Sequence, residues 1–267
     1  MVSSGGDMDP KQTSEWRPIT FVLLEQPVGL DLPSVVAAIR ARHPGLSVRI
    51  AGDNAQSNST LLECDGELVA LMSIAAPMPR DDAIAARAEA TWPEAATIIN
   101  SHRAHLVIST VARDLGRLRA ARMITAIVGS AVAAVPGCLA VLWDDSVAHP
   151  AARWLDMSRS AFAPYPDFPF MLWLSIHPFH YDSMIVAVTF GLSAFVGREI
   201  EFEGKGLDLP KVINKVAGLS VYLIERGSVI PDGDTFGGSE RERLRIHHAI
   251  SKRFSGLPVL LASTAAR

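Results

Sequence analysis

Glu199, Glu201 and Glu203 alternate with Ile200 and Phe202. On a strand that spacing puts three carboxylates on one face, with successive groups roughly 7 Å apart. Such a row suits a divalent cation or a basic peptide. A solvated face, whose charges also discourage edge pairing, explains it too and is the reading the pattern favours. Asp232, Asp234 and Thr235 lie in a glycine-rich turn. A calcium loop supplies more oxygens and a closing glutamate, and here Ser239 and Glu240 follow as cap residues. Gly233, Gly237 and Gly238 could offer backbone N–H groups to a phosphate, but no Gly-Lys-Ser/Thr ending is present. A structural turn is the simpler expectation. His177, His180 and Asp182 offer two imidazoles and a carboxylate for metal or acid–base work. Residues three apart face opposite sides of a strand, so only His180 and Asp182 are placed to share one. A zinc site would need a further ligand from elsewhere. His102 and His105 can meet at i, i+3 on a helix. A cationic imidazole at the helix C-terminus accounts for them equally well.

The elements that must position these groups follow from local pattern. Ile19 to Glu25 reads as a strand. Asp31 caps a helix with Pro33 in its first turn and a stripe of Leu32, Val35, Val36 and Ile39. The runs Leu61 to Cys64 and Glu67 to Leu71 flank Asp65-Gly66, a tight hairpin. A helix starts at Asp81. Thr91 and Glu94 are spaced as a capping box for another, and His105 to Val111 is a strand. With one extra strand, the first half follows the βαββαβ order.

Beyond it come a helix over Leu115 to Val135 and strands at Cys138 to Trp143, Phe170 to Pro178, Met184 to Phe190 and Arg198 to Glu203. Asp208 caps a further helix, and short strands follow near Ile230, Leu244 and Val259. The expected fold is α+β. It has two mixed or antiparallel sheets with helices packed on one face, each half loosely ferredoxin-like. Residues 1–17 form a disordered tail, 18–113 an N-terminal half and 114–267 a C-terminal half. Gly29 to Pro33 resembles Gly206 to Pro210, and Gly45 to Val48 resembles Gly218 to Val221. The gaps between the paired strings differ, so no rigid repeat follows.

The chain has 267 residues, is 49% hydrophobic and carries a formal charge of -3. That supports a sizeable core and argues against nucleic acid as a partner. Cys64 and Cys138 read as buried, unbridged thiols of a reducing compartment. No signal peptide is evident, so the Asn58-Ser59-Thr60 glycosylation match carries no weight. Met123 to Trp143 is uncharged and long enough to span a bilayer. Pro136-Gly137 breaks it, so a buried helix, a turn and a strand are expected, with no membrane partner. No nucleophile elbow, P-loop, kinase set, dinucleotide fingerprint or His-Glu-x-x-His is present, and no cofactor is expected. The five tryptophans are scattered singly, with no base-stacking platform. Arg241, Arg243 and Arg245 read as the wet side of a strand.

One resemblance is carried by Gly191, the run Phe195-Val196-Gly197-Arg198-Glu199-Ile200-Glu201, the capped helix after it, and Pro231-Asp232-Gly233-Asp234-Thr235-Phe236-Gly237. Over about 183–265 the chain resembles the family known as domain of unknown function 4261 (DUF4261). Trp92-Pro93-Glu94-Ala95, His102 and Ala104-His105 look like longer members of it. The resemblance implies a fold unit and no chemistry. Two functions are carried forward. One is a cytoplasmic, non-catalytic binding or regulatory module with a protein or small-molecule partner. The other is a metal-assisted hydrolase built on His177, His180, Asp182, Glu199 and Glu201. If there is a functional surface, it is expected to join these residues to Asp232, Asp234 and Thr235.

Overall fold

The computed structural model describes residues 16–54, 59–79, 81–111, 115–237 and 243–264. The N-terminal segment before Trp16, Asn58, and the run Gly238, Ser239, Glu240 and Arg241 lie outside them.

The chain runs β1 (Ile19–Leu24), α1 (Leu32–Arg42), β2 (Val48–Asn54), β3 (Ser59–Cys64), β4 (Glu67–Ile74), α2 (Asp82–Glu89), α3 (Ala95–Ser101), β5 (Ala104–Thr110), α4 (Arg117–Ala134), β6 (Cys138–Trp143), β7 (Val147–Pro150) and α5 (Ala151–Met157). Then come β8 (Ser175–Tyr181), β9 (Met184–Phe190), α6 (Ser193–Val196), β10 (Glu199–Gly204), α7 (Leu209–Arg226), β11 (Thr235–Phe236), β12 (Leu244–Ile250) and β13 (Pro258–Thr264).

The protein is α+β with two sheets. The first has the order β2-β3-β4-β5-β1-β6-β7 and is antiparallel throughout. The second has the order β11-β12-β13-β10-β9-β8 and is mixed, because β10 and β13 run parallel. β6 and β7 extend the first sheet past β1, so strands from both sides of residue 113 share one sheet.

Local chemistry explains the element ends. Asp65 and Gly66 have φ of 48° and 84°, the pair of left-handed conformations that a two-residue hairpin demands. Asp31, Asp81 and Asp208 each accept a backbone N–H of the first turn they precede. The expected capping box at Thr91 and Glu94 does not form. Helix α3 begins at Ala95, and Glu94 makes no side-chain cap bond. Of the two repeated strings, Asp-Leu-Pro starts a helix both times, at α1 and α7. Gly45 to Val48 leads into β2, whereas Gly218 to Val221 lies inside α7, so the second likeness is not structural.

The uncharged run is split as expected: α4 ends at Ala134 and β6 begins at Cys138. Among the described residues, no helix is long and apolar enough to cross a membrane. Cys64 and Cys138 are both free thiols.

Helices α1 and α4 pack on one face of the first sheet, against Val22, Leu106 and Val141. Helices α2 and α3 pack on the other, against Leu23, Ala140 and Leu142. The single helical face expected of each sheet therefore holds for the second, where α7 covers Ile200 and Phe202. One apolar core runs through both sheets. Its centre is aromatic: Trp143 lies against Trp154 and Trp173, and Trp173 against Phe168 and Phe195. Trp16, expected in the tail, docks on Trp143 and Phe195. Four of the five tryptophans scattered in sequence thus gather in space, as interior packing, while Trp92 packs on the α2–α3 side of the first sheet.

Candidate functional site

Strand pairing fixes which expected site residues share a surface. His177, Val188 and Glu201 lie in one row across β8, β9 and β10. Thr235, Arg245, Ser263 and Glu203 form a second row across β11, β12, β13 and β10. Residues opposite one another point to the same side of a sheet. His177, the three glutamates and Thr235 therefore share the face opposite α7. They do not converge. With strands about 4.8 Å apart, His177 stands roughly 10 Å from Glu201 and Thr235 roughly 14 Å from Glu203. His180 falls on the α7 side of the pleat. Asp182 sits in the β8–β9 turn with φ of 51°.

His177, Asp232 and Asp234 each have a local partner. His177 Nε2 is 2.8 Å from Ser175 Oγ, and its ring meets Phe190 edge-on. Asp232 accepts the backbone N–H of His248 at 2.7 Å and lies 3.4 Å from His247 Nδ1. Asp234 accepts the N–H of Thr235. The turn is thus pinned to β12, as the structural reading expected.

The acidic strand overturns the expectation of a solvated face. Glu199 and Glu201 are each only 2% exposed. Glu199 accepts four hydrogen bonds: Thr189 Oγ1 at 2.7 Å, and the N–H groups of Gly191 at 2.9 Å, Leu192 at 3.1 Å and Ser193 at 3.0 Å. Gly191 suits this cradle because its φ is +106° and a Cβ there would stand 2.3 Å from the Trp173 carbonyl oxygen. Glu201 accepts from Ser251 Oγ and Arg253 Nη1. Arg253 Nη2 donates to Glu203 at 2.9 Å, and its guanidinium stacks 4.4 Å from the Tyr181 ring centroid. Beside it, Phe254 meets Phe179 and Phe190. The cation that crowded carboxylates call for is a side chain of this protein. The available signal was the cluster itself, since buried carboxylates demand a paired charge.

Residues 188–257 match the family described as Domain of unknown function (DUF4261). The matched segment holds the whole Glu199 cradle and the Glu201–Arg253–Glu203 clamp, and its end lies in the loop that supplies Arg253. Searches of the curated proteins and of the solved structures each found no match.

Outside the DUF4261 segment, a cavity of about 270 Å³ lies between α2, α3 and the β6–β7 turn, with Asp81, His102, Asp144 and Asp145 in its wall. Asp81 caps α2 through Ala83 and Ile84. His102 Nε2 accepts the Met78 N–H at 2.8 Å and Nδ1 bonds the Ile99 carbonyl. His105 Nδ1 bonds the Ala76 carbonyl at 2.9 Å, and burial pushes its pKa down. The pair does not share a helix: His102 follows α3 and His105 is on β5, and together they tie residues 76–78 to the α3–β5 connection. Among the described residues, no group of three or more His, Cys, Asp or Glu could hold a metal.

Asp144 went unnoticed in the sequence as a functional candidate. It accepts from Trp16 Nε1 at 3.0 Å and Ile19 N at 2.8 Å. Burial, with repulsion from Asp145, raises its pKa to about 6 against those two bonds. The unfolded chain gives up this proton first, so the folded state loses stability as pH rises from about 4 to about 6. Asp144→Asn should remove that slope. In urea denaturation its stability relative to wild type is expected to rise across this window and stay level above it. A difference constant with pH would show that Asp144 is not perturbed.

Proposed function

We propose that this protein is a cytosolic, non-catalytic binding module, and that its recognition surface is the face of the second sheet around the Tyr181–Arg253 clamp. One observation carries the reading. Glu201 and Glu203 are paired from within with Arg253 and Glu199 is held by N–H and O–H donors, while apolar groups beside them stay exposed. Tyr181 is 45% and Ile250 58% exposed. They line a cavity of about 410 Å³ with Lys252 and Arg253. Exposed aromatic and aliphatic anchors ringed by charge suit a polypeptide partner. The metal-assisted hydrolase finds less support. His177 and His180 lie on opposite sides of the pleat, Asp182 sits in the turn beyond them, and each carboxylate oxygen of Glu199 and Glu201 already has a donor.

The surface is tested by placing a photo-crosslinking phenylalanine at Ile250 in cells that make the protein, and at Ile50 of the first sheet as the control. A discrete adduct at Ile250, absent at Ile50 and lost on Lys252→Glu, is the expected result. Turnover of an ester or phosphoester that depends on Mn²⁺ or Zn²⁺ and is lost in folded His177→Ala would replace the binding reading with the hydrolase.

A further inference from the structure

A cavity of about 500 Å³ lies where the end of α1 meets the turn after α5, far from the DUF4261 segment in sequence. Its wall includes Arg42, His43 and Leu46 on one side and Arg159, Ser160 and Phe162 on the other. Its polar groups, unlike those of the acidic face, are not used up. His43 is 5% exposed, and its Nε2 has no hydrogen-bond partner among the described residues. Arg159 makes no hydrogen bond or ion pair among them. Arg42 Nη2 donates to the Leu155 carbonyl at 2.6 Å and Ser158 Oγ at 2.8 Å, which fixes the guanidinium, while its buried Nε finds no acceptor.

Phe162 is 45% exposed and meets His43 edge-on at 5.8 Å. Burial, followed by the charges of Arg42 and Arg159, pushes the His43 pKa down to about 4, so the imidazole is neutral at pH 7. The carboxylate in the wall, Asp65, is anchored on the Ser47 N–H at 2.9 Å, and Asp156 acts on Arg42 from nearby.

We infer that this cavity binds a small planar aromatic carboxylate. Its size falls in the range of small-molecule pockets, and its make-up is apolar wall with few converging polar groups. Phe162 and Leu46 offer a flat surface to a ring. The exposed, unpaired Arg159 guanidinium matches the geometry and charge of a carboxylate, and the fixed Arg42 adds its positive charge to the same wall. A bare inorganic anion would leave the apolar wall unused, and a neutral ring would leave the two cations unpaired. The inference rests on residues separate from the binding surface of the second sheet, so either proposal stands without the other.

The test is calorimetric titration of the full chain with 2-naphthoate and indole-3-carboxylate, beside neutral indole and inorganic phosphate. Saturable one-to-one binding of at least one aromatic acid is expected, with indole and phosphate about tenfold weaker or worse. Arg159→Glu and Phe162→Ala alter exposed side chains and should melt like wild type. Each is expected to weaken the aromatic acid by about tenfold. The inference is overturned if neither acid binds at millimolar concentration, if Arg159→Glu leaves the affinity unchanged, or if phosphate binds as tightly as the acids.

Discussion

Replacing Glu199 with alanine is expected to lower the unfolding free energy by about 4 kcal/mol, since it strands several buried donors at once. The carboxylate serves the Thr189 hydroxyl and three successive N–H groups at the turn into α6. All four lose their acceptor where water has little access. For a chain of this size the melting temperature should fall by roughly 10 °C. Glu199→Gln keeps one acceptor oxygen but turns an NH₂ toward N–H donors, so an intermediate loss is expected. Urea denaturation or scanning calorimetry reads both variants. A loss below about 1 kcal/mol in Glu199→Ala would mean that the turn holds without its carboxylate.

The second large effect is expected at Arg253. Arg253→Met removes the cation from Glu201, which is 2% exposed, and a buried charge left alone costs about 3–5 kcal/mol. Adding Glu201→Met to that variant takes away the stranded charge, so much of the loss should return. A double-mutant cycle is therefore expected to give a coupling of about 2 kcal/mol or more. Additive effects of the two substitutions would show that Arg253 acts through its stacking on Tyr181 and not through the pair.

Sequence carried some of this and not the rest, for reasons of range. The Asp65-Gly66 hairpin, the aspartate caps of α1 and α7 and the break at Pro136-Gly137 depend on neighbours within a few residues, and each was legible. Alternation in Glu199 to Glu203 placed the carboxylates on one face correctly. It could not show that the face is buried, because that depends on a loop some fifty residues on that brings Ser251, Arg253 and Phe254 across it. Trp143, Trp154 and Trp173 gave no local sign of contact, since their meeting depends on how the two sheets pack. The Arg42–Phe162 cavity draws its wall from segments more than a hundred residues apart, and no spacing within either segment announces it.

Titrating Ca²⁺, Mn²⁺ and Zn²⁺ into the wild-type protein separates an internally neutralised face from a metal centre most directly. With Arg253 already paired to Glu201 and Glu203, no saturable heat and no rise in melting temperature are expected at millimolar ion. An ion that bound only the folded protein would stabilise it by about 2.7 kcal/mol at a hundredfold excess over its dissociation constant. One-to-one binding with such a rise, abolished in Glu201→Ala or Asp234→Ala, would contradict the binding-module reading.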